Sequence, residues 1–191
     1  MAARPAKPYA TVLIAAATAG VHLWLASRPD AVFDAAVDSW GARGSKPVTF
    51  VTSLFLHESK GHLLLNLLLF LVFAPAVEKR LKGWGLALVY ALSGVAGVAT
   101  HLAWAPSGVL IGASGAISGI LGAHAWLRPW GKGSIAAAAL WALANLAGLL
   151  VLVRGGPGGI SYLSHLGGMA AGALIAAALP ASRPAKARKA F

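Results

Sequence analysis

The 191 residues include no cysteine, which excludes disulfides, thiol nucleophiles and thiolate-metal sites. Acidic side chains are nearly as scarce. Five Asp and Glu face sixteen Lys and Arg, for a formal charge of +11. Charged residues of both signs make up 11% of the chain, under half the roughly 25% of an average soluble protein. So little charge cannot cover a water-exposed globule, and a hydrophobic fraction of 58% with mean hydropathy of +0.73 excludes a disordered chain. The composition is that of a membrane protein with several spans. Its basic excess does not point to nucleic acid, because Lys and Arg fall in short clusters between apolar runs, where loops meet anionic headgroups. Membrane lipids are the expected contacts.

A spanning helix takes about 20 mostly apolar residues, and six runs are read as spans: 9–26, 51–77 (interrupted at His57 to His62 and continuing from Leu63), 86–104, 112–127, 135–153 and 160–179. The expected fold is all-α: one membrane domain over residues 1–191, built as a six-transmembrane-helix bundle and closed by a basic cytoplasmic tail at 180–191. The first run follows Arg4 and Lys7 and has a small-residue site near Ala26-Ser27, features shared with a signal peptide. The membrane-like remainder favours an uncleaved first span. Residues 28–50 are polar, with Val32, Phe33, Val37 and Trp40 spaced as in a segment lying at the interface. Of the sixteen basic residues, eleven fall on one side of this alternation; Arg28, Arg43, Lys46, Lys60 and Arg154 fall on the other. The asymmetry puts both termini in the cytoplasm. The bacterial plasma membrane is the expected location, from the small size and lack of a transit peptide.

Polar side chains at membrane depth are costly and usually face the bundle interior. Ser114 stands in Gly112-Ala113-Ser114-Gly115. A lone membrane serine commonly bonds its own backbone one turn back, but flanking glycines permit a sharp turn at a helix start, where backbone N–H groups are free to meet an oxyanion. The pattern is not the Gly-x-Ser-x-Gly of a nucleophile elbow. A serine nucleophile needs a base within about 2.6–3.2 Å. His165 is followed by Gly168 and Gly172, a small-residue face matching Gly115 and Gly119 below Ser114; such faces let two membrane helices pack closely. The bland alternative is a satisfied interhelical histidine beside packing glycines. His62 and Asn66, at i and i+4, share one helical face and supply two neutral donors suited to an oxyanion. Asn145 in the fifth run reads as a bond to a neighbouring helix, with substrate contact as the alternative. His57 and His62 lie five apart, roughly 140° around a helix, so the His-Glu-x-x-His zinc pattern, which needs i and i+4, does not apply. No metal or other cofactor is expected.

These residues together resemble the rhomboid intramembrane serine proteases. The resemblance runs from about Val51 to Gly172. It is carried by His57-x4-His62-x3-Asn66, by Gly112-Ala113-Ser114-Gly115, by His165-x2-Gly168-x3-Gly172, and by Ala76-Val77-Glu78-Lys79-Arg80-Leu81. It implies a six-helix bundle with a Ser–His dyad in a water-filled cavity below the outer surface. By position, Ser114 would be the nucleophile and His165 the general base. His62, Asn66 and the Ser114 backbone N–H would form the oxyanion hole, and His57 would support the cavity. No acidic residue lies in the last three runs, so a dyad without a carboxylate is also what the sequence allows. The implied activity is cleavage of the transmembrane segments of other membrane proteins. Two departures stand out. Val48 and Thr49 occupy the place of the family's Trp-Arg pair, which leaves the anchoring of the first loop open. Ser118 stands where many members carry an aromatic that stacks on the histidine, so the imidazole must be oriented another way; Ser118 is also placed to bond Ser114. The rival readings are a rhomboid-like protein binder that does not cut, and a transporter. The latter predicts repeated half-sequences, and none is seen.

Overall fold

A backbone segment in lipid must satisfy its own polar groups, and the apolar runs are mostly helical. The computed structural model describes residues 7–155 and 160–182. Arg4 and the tail residues Arg183, Lys186, Arg188 and Lys189 lie outside the described residues. The elements are α1 (Tyr9–Ala26), α2 (Asp30–Trp40), α3 (Thr49–Thr52), a 3-10 turn (Ser53–Phe55), α4 (Lys60–Trp104), α5 (Ser114–Leu127), α6 (Lys132–Val153) and α7 (Tyr162–Ala178). Among the described residues there is no strand, only two isolated bridges, Ala42 with Leu110 and Arg43 with Lys46.

Helices α1, α4 and α6 are long and apolar enough to cross a bilayer. Helices α5 and α7, with 14 and 17 residues, are shorter. The runs expected at 51–77 and 86–104 are two limbs of α4, which breaks at Lys82 (φ 65, ψ 174). The chain reverses there: the rings of Phe70 and Tyr90, twenty residues apart, meet at 5.5 Å, whereas an unbroken helix would hold them about 30 Å apart. The first limb begins at Lys60, not Val51. Ser59 is extended and its hydroxyl accepts the His62 N–H at 3.1 Å, an N-cap that starts a new helix and separates the turns before it. Large apolar side chains such as Leu64, Leu68, Leu140, Leu143 and Leu174 stand exposed, as on the outer face of a membrane helical bundle. The buried core gathers both limbs of α4 with α5, around Phe70, Val77, Leu81, Leu86, Ile117 and Ile120.

Helices α5 and α7 meet backbone to backbone. A Cβ on Gly168 would lie 2.9 Å from the carbonyl carbon of Gly115, and one on Gly172 would lie 2.5 Å from Gly119 Cα. Both obstacles are main chain, so no rotamer relieves them. Gly172→Ala is expected to lower stability by about 1–3 kcal/mol, read as a lower unfolding midpoint in detergent; an unchanged midpoint would contradict the contact. The glycine faces thus form the seam that their spacing suggests.

Two further ties position the helices. The loop after α2 is joined to the segment before α5 by Ala42 and Leu110, each N–H donating to the other's carbonyl, at 2.9 and 3.2 Å. Thr49, in the place of the family's pair, is buried and accepts the Arg43 N–H at 3.1 Å. At the opposite end, the buried Glu78 carboxylate accepts the N–H groups of Ala10 and Thr11 and the Thr11 hydroxyl, at 2.9, 2.9 and 2.7 Å. Arg80 donates to the carbonyls of Leu127 and Ser182 at 2.9 and 2.7 Å.

Candidate active site

The segment entering α5 is bent by Gly112, whose φ of 118° only glycine adopts readily. Its N–H donates to the Ser53 carbonyl at 3.0 Å. A Cβ there would lie 2.8 Å from His62 Cε1, so the bare backbone makes room for that imidazole. Helix α5 then begins at Ser114, and no side chain caps it. The N–H groups of its first turn have no intrahelical acceptor, and the helix dipole favours an anion there.

The glycine seam brings the first turns of α5 and α7 together. Across it, Ser114 Oγ and His165 Nε2 are 2.7 Å apart, and His165 is buried, with 7% exposure. They face a cavity of about 420 Å³ also lined by Glu58, His62, Asn66, Trp141 and Asn145, with walls that include Leu65, Leu69 and Ile117. The size is that of a typical ligand cleft. A few polar groups converge in an otherwise apolar hollow.

Of the residues singled out in the sequence, Ser114 and His165 are hydrogen-bonded to each other, and His62 and Asn66 line the same cavity. The Asn66 amide spends one N–H on the His62 carbonyl at 3.0 Å, which leaves its second for the cavity. His57 lies behind His62, ring centroids 5.0 Å apart, and is fully buried without lining the cavity. Its carbonyl accepts from His22 Nδ1 at 3.1 Å, tying α1 to the segment. Ser118 donates to the Ser114 carbonyl, not its hydroxyl, at 2.8 Å. Among the described residues no group of His, Asp or Glu has the geometry of a metal site.

Trp141 is the residue that motif reading missed. Its ring lies 5.4 Å from that of His165 at an angle of 38°, and its indole N–H donates to Ser118 Oγ at 2.9 Å. An aromatic does therefore flank the histidine, supplied by α6, while Ser118 holds the indole. Asn145, one turn further along α6, bonds a neighbouring helix as one reading expected, and its partner is His165 itself: Oδ1 and Nδ1 are 2.6 Å apart. The two lie at i and i+4, on one face of α6.

The Rhomboid domain profile matches residues 44–182, an interval holding every residue of this cavity. A Bacillus subtilis (strain 168) protein named "Putative rhomboid protease YdcA" is 32% identical over 126 residues, covering 65% of this chain and 63% of the relative. The chain thus spans somewhat under two thirds of that relative's length. With the profile covering most of its residues, the chain belongs to the rhomboid family.

Proposed function

We propose that this chain is an intramembrane serine endopeptidase that cuts transmembrane segments of other membrane proteins. The observation that carries the reading is the 2.7 Å bond between Ser114 Oγ and His165 Nε2 inside an apolar cavity. In the proposed reaction His165 takes the hydroxyl proton as Ser114 attacks the scissile carbonyl, then returns it to the leaving amine. Water enters by the same route, with His165 again as base, and frees the acyl group from the serine. The uncapped first turn of α5, His62 and the spare Asn66 N–H are the donors for the tetrahedral oxyanion. His57 backs His62 and limits its movement.

The depth of the site follows from helix length. Fourteen residues of α5 rise about 21 Å, less than the roughly 30 Å of a bilayer's hydrocarbon. A nucleophile on the first residue of so short a helix lies beneath the surface if the other end reaches the opposite interface. A substrate helix hides its carbonyls in its own ladder, so segments weakened by Gly or Pro are the suitable targets. In this reading the two limbs of α4 are separate spans, six in all, with both termini in the cytoplasm of a bacterial cell and lipids around the bundle.

The test is covalent labelling. A fluorophosphonate incubated with the purified protein is expected to modify Ser114, located by peptide mass, and to stop cleavage of a model transmembrane substrate. Substrate retained by a protein that neither labels nor cuts would instead identify a binder.

A further inference from the structure

We propose that Asn145 is a positioning residue that sets the tautomer of His165 and, with Trp141, the plane of its ring. The inference rests on the Ser114–His165 reading and adds a third member to it, supplied by α6.

Asn145 is 4% exposed in a helix whose described residues include only two other buried ones, Ser134 and Ala138. Burying an amide in apolar surroundings is costly unless both of its ends are bonded. Here both are. Nδ2 donates to the Trp141 carbonyl one turn back, at 2.8 Å. A carbonyl only accepts, so this bond assigns the nitrogen of the amide and turns Oδ1 toward α7. Oδ1 lies 2.6 Å from His165 Nδ1, and it too can only accept, so Nδ1 carries the ring proton. That leaves the lone pair on Nε2, facing the Ser114 hydroxyl at 2.7 Å. The other tautomer would set two lone pairs against each other at Nδ1 and offer Ser114 a donor where it needs an acceptor.

The same turn of α6 flanks the ring. Trp141 lies beside the imidazole and is anchored through Ser118 to the Ser114 carbonyl. One side chain holds the edge of the histidine and the other its flank. Asn145 is neutral, so it fixes orientation and proton position without placing a charge in the membrane, and its loss costs less than loss of Ser114 or His165.

The experiment compares kcat and KM of wild type, Asn145→Leu, Asn145→Asp and Ser114→Ala on one transmembrane substrate in detergent, with unfolding midpoints measured alongside. Leu keeps the branched skeleton, with more bulk, and removes the acceptor; Asp keeps an acceptor oxygen. Asn145→Leu is expected to lower kcat roughly 10- to 100-fold, as a misoriented group does, with KM little changed, and Asn145→Asp to recover most of the loss. A Leu variant with wild-type kcat, beside an inactive Ser114→Ala, overturns the role of Asn145 and leaves the Ser–His reading standing. Equal losses in Leu and Asp variants, following a fall in midpoint, show a packing role and also overturn it. Cleavage that persists in Ser114→Ala removes the Ser–His reading, and this inference with it.

Discussion

Ser114→Ala is expected to reduce cleavage of a transmembrane substrate by a factor on the order of 10⁴–10⁶, and His165→Ala by a comparable factor. The double variant should be scarcely worse than either. In the proposed mechanism the two atoms, joined by a 2.7 Å bond, act as one proton-transfer unit; once one partner is gone the other has nothing to act on, so their effects do not multiply. Stability should hardly move in Ser114→Ala. The Ser114 hydroxyl bonds the histidine, while the Ser114 carbonyl, which receives Ser118, is unaffected. Progress curves at high enzyme concentration, with circular dichroism on the same samples, measure both. Multiplicative losses in the double variant would mean that the residues act independently, and full activity in either single variant would reassign the chemistry.

Glu78→Ala is expected to destabilise the protein by on the order of 3 kcal/mol, since hydrogen bonds to ionised groups contribute about 1.5–3 kcal/mol each and solvation recovers part of the loss. The carboxylate is buried and meets three donors on α1: the Ala10 and Thr11 N–H groups and the Thr11 hydroxyl. Those N–H groups belong to the first turn of α1, where helix geometry provides no acceptor and the helix dipole favours an anion. Glu78 thus caps α1 from the kink of α4. Glu78→Gln should restore less than half of the loss, because an amide NH₂ replaces one of the two acceptor oxygens. Thermal unfolding in detergent distinguishes these outcomes, and equal midpoints for Ala and wild type would remove the cap from the account of the fold.

How much was legible in the sequence depended on which force left a mark there. Lipid selects for apolar length, and so the helical character of the apolar runs was legible; α1 covers Tyr9–Ala26. Close packing of membrane helices selects for small residues one turn apart, and the spacing of Gly115 with Gly119 and of Gly168 with Gly172 therefore pointed to the meeting of α5 and α7. That spacing also suggested which serine and histidine would come together. The interruption of the second run at His57 to His62 was legible, and within it the Ser59 cap starts α4 at Lys60, so Val51 to Leu56 form separate turns and not the first part of that helix. Trp141 was illegible. A tryptophan in an apolar helix looks the same whether it faces lipid or a histidine, and only packing decides. Asn145 was conspicuous, yet its partner depended on the rotation of α6, which the pattern of so uniformly apolar a helix does not fix.

The clasp between Ala42 and Leu110 consists of main-chain groups alone. The two hydrogen bonds are abolished directly by proline, which has no N–H to give, and the pair is also packed: Ala42 is fully buried with Val98 and Leu102, and Leu110 lies against them. The stretch between α2 and α4 is thereby moored through main-chain atoms to the segment that leads into Ser114. The first loop is thus tied to the bundle without a Trp-Arg pair, by groups that every residue except proline carries.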